Sequence, residues 1–182
     1  MAGIELSEIT EKEPEAEKET VKVHNLFSGT VEIFHKNLTE RSELYDYIME
    51  KWLIKVETVD LLKIGYAIKS MDLSGLDGIT LENSGLVYVN NGEMSGEVFN
   101  GRIIFPYWNN GKVVYLIGRK TSGTPTGEYE KGLKYKKLLV YKEGHEYVSL
   151  GVQNSYFYGE GSLRGADYCI ITKGVTDYIA ML

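Results

Sequence analysis

The sequence predicts an α+β protein with a mixed, mainly antiparallel sheet, small helices and a C-terminal β-α unit. Two segments rich in β-branched and aromatic residues, 102–107 and 112–117, flank Asn109-Asn110-Gly111, whose residues tolerate positive φ, so they predict a β-hairpin. Apolar residues recur at helical spacing from 44 to 52. The apolar run 167–172 predicts a buried, parallel strand, and a helix is expected to follow it from residue 175.

The first 20 residues predict a disordered acidic tail or linker, or a frayed helix. They contain seven acidic residues and two lysines, with few apolar side chains. This segment therefore carries a net charge of −5 out of −6 for the chain. Residues 21–182 carry only −1, so the overall acidity is a weak argument against a nucleic-acid-binding function.

The segment from 21 to 63 predicts a short hairpin or strand followed by two helices. Apolar stretches alternate around Ser28-Gly29, which is a turn signal. Thr39 can cap a helix that continues to about Trp52, and a second short helix is predicted over 56–63.

Short strands and turns are predicted from 73 to 96, where Gly, Asn and Ser are dense. Residues 86–89 form the clearest strand among them. In the hairpin that follows, Pro106 has no N–H for a strand ladder, so we expect it at the end of its strand or on an edge.

Positive charge is concentrated in the hairpin and the segment after it. From Arg102 to Lys142 there are nine Lys/Arg and two acidic residues, a local net charge of +7, and tyrosines alternate with the lysines. This pattern is typical of a phosphate-binding surface. Alternating Lys and Tyr is also typical of an exposed strand with a half-buried aromatic row, and the spacing leaves both interpretations open.

The hairpin is the first of several segments that occur in a characteristic order. FNGRIIFPYWNNGKVVYLIGRK is followed by LKYKK, by SYFYGE and by YCIITKGVTDYIAML. Upstream lies YDYIMEKWLIKVETVDLLKIGYA. This series resembles the catalytic core of bacterial-type, DnaG-like DNA primases, from about residue 44 to residue 182.

The resemblance implies a basic, nucleic-acid-binding N-terminal subdomain over 21–165 and the start of a toprim-like subdomain over 166–182. The implied function is binding of single-stranded template DNA for RNA primer synthesis. Arginine binds phosphate bidentately, lysine acts as a point charge, and tyrosine stacks on bases. The expected contacts are Arg102, Arg119, Lys120, Lys134, Tyr135, Lys136 and Lys137.

Two departures from the family pattern concern the toprim metal site. The toprim strand normally ends in Glu-Gly, but this sequence has Lys173-Gly174, and a lysine can neither coordinate Mg²⁺ nor accept a proton as a carboxylate does. Asp177 occupies the family's acidic position and is the candidate catalytic residue, although the helix dipole alone favours an acid there. The sequence also ends before the family's Asp-x-Asp strand.

We therefore expect a chain that is inactive alone, with Mg²⁺ bound only by a complete enzyme. The alternative is a non-catalytic accessory or interaction protein with a primase-like fold. A nuclease or topoisomerase-like toprim protein is disfavoured because the basic series resembles primases in particular. The expected partners are single-stranded DNA and, as further candidates, a replicative helicase or missing domains of the same polypeptide.

Composition adds expectations about location and zinc. The single cysteine, Cys169, lies in an apolar run and is expected to be a buried strand residue. Without an internal disulfide, a signal peptide or a long apolar segment, we expect a cytoplasmic chain with no membrane partner. His24, His35 and His145 lack CxxC partners, so structural or exposed roles are expected rather than a zinc site.

Overall fold

The computed structural model describes residues 6–68, 78–90, 93–125, 133–140, 149 and 151–182. Helices and strands are both present in these residues, which confirms the α+β prediction. The elements are α1 (Leu6–Thr39), α2 (Ser42–Trp52), α3 (Val56–Leu62), β1 (Gly65–Ala67), α4 (Gly78–Ser84), β2 (Val87–Asn90), β3 (Glu93–Glu97), β4 (Arg102–Asn109), β5 (Lys112–Lys120), β6 (Tyr135–Lys137), a 3₁₀ helix (Glu160–Leu163) and α5 (Val175–Ile179).

The main sheet has four strands in the order β1-β4-β5-β6, and each neighbouring pair is antiparallel. β4 and β5 form the predicted hairpin. Their turn consists of Asn110 and Gly111, at φ angles of 49° and 74°, the left-handed region that both residue types tolerate. Strands β2 and β3 form a separate antiparallel pair, and β2 confirms the strand predicted over 86–89.

Pro106 lies inside β4, opposite Leu116, rather than at the end of the strand. The Leu116 carbonyl accepts the N–H of Leu138 on the β6 side, at 3.4 Å, so the Pro106–Leu116 pair is not hydrogen-bonded across the hairpin. On its other side β4 is covered by β1 only over 102–104. The nitrogen of Pro106 therefore faces an uncovered edge, and the edge prediction is confirmed.

Helices cover the two faces of this sheet. One face, which we call the α1 face, contains Gly65, and a Cβ on that residue would lie 2.6 Å from the backbone of Phe34 in α1. The opposite face, the α2 face, contains Phe105. Its ring lies 5.8 Å from that of Trp52 in α2 and 6.5 Å from that of Tyr158, centroid to centroid. The core therefore lies on both sides of the sheet.

Helix α1 covers most of the N-terminal segment. Residues 6–20 are helical, which agrees with the helical alternative and not with a disordered tail, whereas the hairpin or strand predicted around Ser28-Gly29 is wrong, because those residues are helix as well. The buried side chains recur at helical spacing: Val23, Phe27, Val31, Phe34 and Leu38. Gly29 lies on the exposed side, where a Cβ would meet no atom within 4 Å. The apolar stripe therefore outweighs the local turn signal.

Two further predictions about the helices are wrong. Thr39 is the last residue of α1, and the N-cap of α2 is Arg41, which makes no side-chain capping bond. α4 occupies residues for which short strands and turns were predicted. Residues 73–77 of the segment predicted to form short strands and turns lie outside the described residues. α3 agrees with the helix predicted over 56–63.

The predicted strand 167–172 is not a strand. Tyr168, Ile170 and Ile171 are 83%, 65% and 79% exposed, and Cys169 is exposed, so its predicted burial is wrong. A parallel strand is buried by neighbours on each side, and within the described part of the chain no strand lies beside this segment. α5 follows it, as predicted.

Two histidines have structural contacts. His24 is buried and its Nε2 donates to the Gly151 carbonyl at 3.0 Å, while His35 Nδ1 donates to the Ile64 carbonyl at 2.8 Å. These contacts agree with structural roles, and His145 lies outside the described residues. Over the described residues, no helix has the length and apolar character needed to cross a membrane.

Candidate nucleic-acid interface

Arg119 lies at the centre of the candidate site. It is on β5, paired with Tyr135 on β6, and both point to the α2 face. Its Nη1 lies 2.9 Å from the Tyr135 hydroxyl and 3.3 Å from Thr176 Oγ1 in α5. The two oxygens are 3.5 Å apart. One guanidinium nitrogen thus donates to both hydroxyls, and we call these three atoms the Arg119 triangle.

Aromatic rings pack against the same guanidinium. The Arg119 Cζ lies 4.5 Å from the centroid of the Trp52 ring and 5.4 Å from that of the Tyr135 ring. Each cation–π contact stabilises this position by about 0.5–2 kcal/mol. Arg119 is therefore a half-buried, positioned side chain that connects α2, β5, β6 and α5, rather than a mobile surface cation.

Two exposed lysines flank Tyr135 in the sequence. Lys134 precedes it, with its Nζ 5.9 Å from the tyrosine ring centroid, and Lys137 lies two residues further on the same face of β6. Both ammonium groups are accessible to a phosphate. Tyr135 itself is half-buried. This arrangement combines an aromatic ring with two accessible positive charges.

Lys120 and Lys136 lie on the α1 face. Lys136 pairs with Gly118 and Lys120 pairs with Arg102, and both lysines are half-buried. Lys136 Nζ lies 5.0 Å from the ring centroid of Tyr88. Strand alternation therefore divides the predicted basic set between two faces of the sheet.

Arg102 does not belong to an exposed surface. Its side chain is fully buried, and its Nη1 lies 3.4 Å from the carbonyl oxygens of Gly118 and Leu133. A Cβ on Gly118 would lie 3.1 Å from Arg102 Cδ, so the missing side chain at 118 provides the space for the arginine stem. The guanidinium of Arg102 lies inside the protein, so its burial argues against the predicted contact with nucleic acid.

Tyrosine rings attach α5 to the sheet. The Tyr158 ring lies 5.0 Å from that of Tyr107 on β4 and 5.5 Å from that of Tyr178 in α5. A Cβ on Gly159 would come within 2.2 Å of the Tyr178 ring, so only glycine leaves room for it. Burial, with a smaller contribution from Tyr107, raises the pKa of Tyr115 to about 12, so its hydroxyl stays protonated and donates to the Leu138 carbonyl.

The described residues do not fit a divalent metal ion. Asp177 and Lys173 are both exposed, and the described part of the chain contains no group of three or more His, Cys, Asp or Glu side chains that could hold a metal. The catalytic role of Asp177 stays a prediction.

Two residues of the site, Trp52 and Thr176, are not predicted from the sequence to contact Arg119. The helical spacing correctly places Trp52 on the apolar face of α2, but its contact with Arg119 has no signal in the sequence. Thr176 had no signal either, because a single threonine near a helix start has many uses. Both contacts depend on tertiary packing.

Comparison with known proteins gives a match in structure alone. Neither a protein-family model nor a curated protein sequence matches the chain. The DnaG primase catalytic domain bound to ssDNA matches with a TM-score of 0.54 and 19% identity, over 67% of this chain and 38% of that chain. The chain shares the fold of the DnaG primase catalytic core.

Two further primase structures agree. The RNA polymerase domain of Mycobacterium tuberculosis primase DnaG, in complex with a double-stranded DNA oligomer with a 6-nucleotide overhang, matches with a TM-score of 0.54 and 17% identity, over 67% of this chain and 40% of that chain. The E. coli primase catalytic core matches with a TM-score of 0.52 and 21% identity, over 68% of this chain and 40% of that chain. The chain thus spans about two fifths of the length of these primase structures.

Proposed function

We propose that this chain is a primase-related domain that binds single-stranded template DNA. The observation that carries the proposal is the position of Tyr135, which Arg119 contacts and two exposed lysines flank, on a sheet with the primase fold. One of the structures with this fold is described as bound to ssDNA. The proposal combines that fold with the chemistry of the site.

The residues of the site would make different kinds of contact with the DNA strand, according to their side-chain chemistry. Lys134 and Lys137 would contact backbone phosphates as point charges. The Tyr135 ring would stack on a base, a contact worth about 1–3 kcal/mol that tolerates any sequence. Lys120 and Lys136 would add positive potential from the α1 face. Binding would then depend weakly on sequence and strongly on salt.

RNA primer synthesis would need more than this site. Nucleotide polymerisation uses divalent metal ions held by carboxylates, and the described residues do not group such ligands. We propose that the chain binds template without polymerising nucleotides by itself, and that Mg²⁺ belongs to a complete enzyme. Primase family membership, replication and a helicase partner are part of the same proposal.

A non-catalytic accessory or interaction role is the second candidate. The apolar side chains of Tyr168, Ile170 and Ile171 are largely exposed within a stretch of four residues, which is typical of a protein-interaction surface. Lys173, where the toprim pattern has glutamate, is consistent with this role. The two candidates differ in whether the chain binds single-stranded DNA.

Fluorescence anisotropy with a short labelled single-stranded DNA tests the proposal. We expect the native chain to bind at low salt and a Lys134→Ala/Lys137→Ala variant to lose most of the affinity. A Lys22→Ala/Lys36→Ala variant, which removes two exposed lysines from α1, is the matched control and should bind normally. Absence of binding, or equal binding by both double variants, would reject the template-binding role. Unlabelled RNA and duplex DNA as competitors establish the preference.

A further inference from the structure

We propose that Thr176 is a positioning residue for the nucleic-acid interface, acting through the Arg119 guanidinium on the hydroxyl of Tyr135. The inference rests on the proposed function and adds a residue from α5 to it. Thr176 makes no contact with the bound strand in this account. Its effect is on the orientation of the ring that stacks on a base.

The Arg119 triangle links Thr176 to Tyr135 and supports this proposal. Arg119 Nη1 is shared between the hydroxyls of Tyr135 and Thr176, at 2.9 Å and 3.3 Å. The tyrosine hydroxyl lies at the far end of the ring from the backbone, so a bond to it fixes the direction in which the ring points. Without Thr176 Oγ1, the guanidinium loses one of the two acceptors that define its own position.

The Trp52 contact disfavours a direct contact between Arg119 and a phosphate. The guanidinium carbon lies 4.5 Å from the indole centroid. To move out toward a phosphate, Arg119 would leave this ring and both hydroxyls, and it would lose the cation–π contact and the hydrogen bonds together. Arg119 therefore supports strand binding indirectly, by holding Tyr135.

The position of Thr176 is in turn set by the packing of α5. Val175 and Ile179 are buried, and the Tyr178 ring packs over Gly159 and against Tyr158. The C-terminal helix thus places the threonine hydroxyl at the interface. Because coupling between two sites is reciprocal, a bound strand should also favour the docked position of α5.

The test compares Thr176→Val with Thr176→Ser in ssDNA binding. Valine keeps the shape and removes the hydroxyl, so affinity should fall about 3- to 10-fold, the factor that corresponds to one hydrogen bond. Serine keeps the hydroxyl and should restore affinity. The matched control is Thr172→Val, which removes a hydroxyl bond to the Gly174 carbonyl in the same segment and should bind normally.

Salt dependence distinguishes positioning from direct phosphate contact. Thr176→Val should leave the slope of log affinity against log salt unchanged, whereas Lys134→Ala should reduce it by about 0.7. In a Tyr135→Phe background the effect of Thr176→Val should largely disappear, because both changes act through one hydroxyl. If valine at 176 unfolds the chain, Thr176→Ala removes the same hydroxyl without placing a second methyl group in its position.

The outcomes separate this inference from the proposed function. If the native chain does not bind ssDNA, the proposed function fails. If it binds and Lys134→Ala weakens binding while Thr176→Val matches the native chain, only the positioning role fails. Higher affinity or a steeper salt slope in Thr176→Val would show that Arg119 contacts phosphate directly, which also overturns it. Equal losses in Thr172→Val and Thr176→Val would overturn it as well.

Discussion

The guanidinium carbon of Arg119 lies 4.5 Å from the centroid of the Trp52 ring. The ring also packs against Phe105, so a core residue supports a residue of the candidate interface. The site thus depends on residues about 70 positions apart, brought together by α2 and β5. Its chemistry and its stability can therefore be tested separately.

Replacing Trp52 should destabilise the protein strongly. We expect Trp52→Ala to lower the free energy of unfolding by about 3–5 kcal/mol, because the change opens a cavity beside Phe105 and Arg119. Urea denaturation measures this value. The neighbouring Leu53 is 82% exposed, so Leu53→Ala should change the same quantity by less than about 0.5 kcal/mol. Similar effects of both substitutions would contradict the packing described.

Gly118 should tolerate no side chain. A Cβ there would lie 2.6 Å from Phe99 Cδ1 and 3.1 Å from Arg102 Cδ, so Gly118→Ala should lower the free energy of unfolding by about 1–3 kcal/mol. Gly161, where a Cβ would meet no atom within 4 Å, provides the control. Thermal unfolding of both variants measures the loss of stability. A neutral Gly118→Ala would mean that Arg102 is not packed over this position.

Burial of His24 should make stability depend on pH. Desolvation lowers the pKa of His24 from its ordinary value of 6.5, and Lys112 adds to the shift, while the bond to Gly151 opposes it. The unfolded chain then binds a proton more readily than the folded one, so the contribution of His24 is complete above pH 6.5 and is lost as pH falls toward the folded pKa. We expect His24→Gln to show a weaker decline in unfolding free energy below pH 6.5. Identical pH profiles for the two proteins would rule out this contribution.

Arg102 should not contribute to strand binding. Because its guanidinium is buried, Arg102→Met should leave the salt slope of ssDNA binding unchanged, even if the variant is less stable. Lys134→Ala, at an exposed position, provides the comparison and should reduce the slope by about 0.7. A reduced slope in Arg102→Met would place the arginine on the interface after all.

The β4–β5 hairpin and helix α1 illustrate what the sequence can and cannot predict. Asn109-Asn110-Gly111 between two β-branched segments predicts the β4–β5 hairpin, because turn chemistry and strand propensity agree there. In α1 the local turn signal and the helical spacing of apolar residues disagree. The Ser28-Gly29 pair favours a turn locally, but the helical stripe through Phe27 and Val31 is buried against the sheet, and this long-range burial decides the structure.

The candidate site was predictable in its residue types but not in their environments. The Lys134-Tyr135 pair and Arg119 follow from the sequence pattern and the family resemblance. The burial of Arg102 does not, since it depends on Gly118 lying on the neighbouring strand. The exposure of Ile171 was also missed, because an apolar run indicates a buried strand only when other strands lie beside it.

The salt dependence of single-stranded DNA binding tests the central claim most directly. Each phosphate neutralised on a single strand contributes about 0.7 to the slope of log affinity against log salt. We predict a steep negative slope for the native chain, reduced by about 1.4 in Lys134→Ala/Lys137→Ala and unchanged in Lys22→Ala/Lys36→Ala. Absence of binding at low salt, or one slope shared by all three proteins, would contradict the template-binding account and favour a primase fold that serves protein interaction.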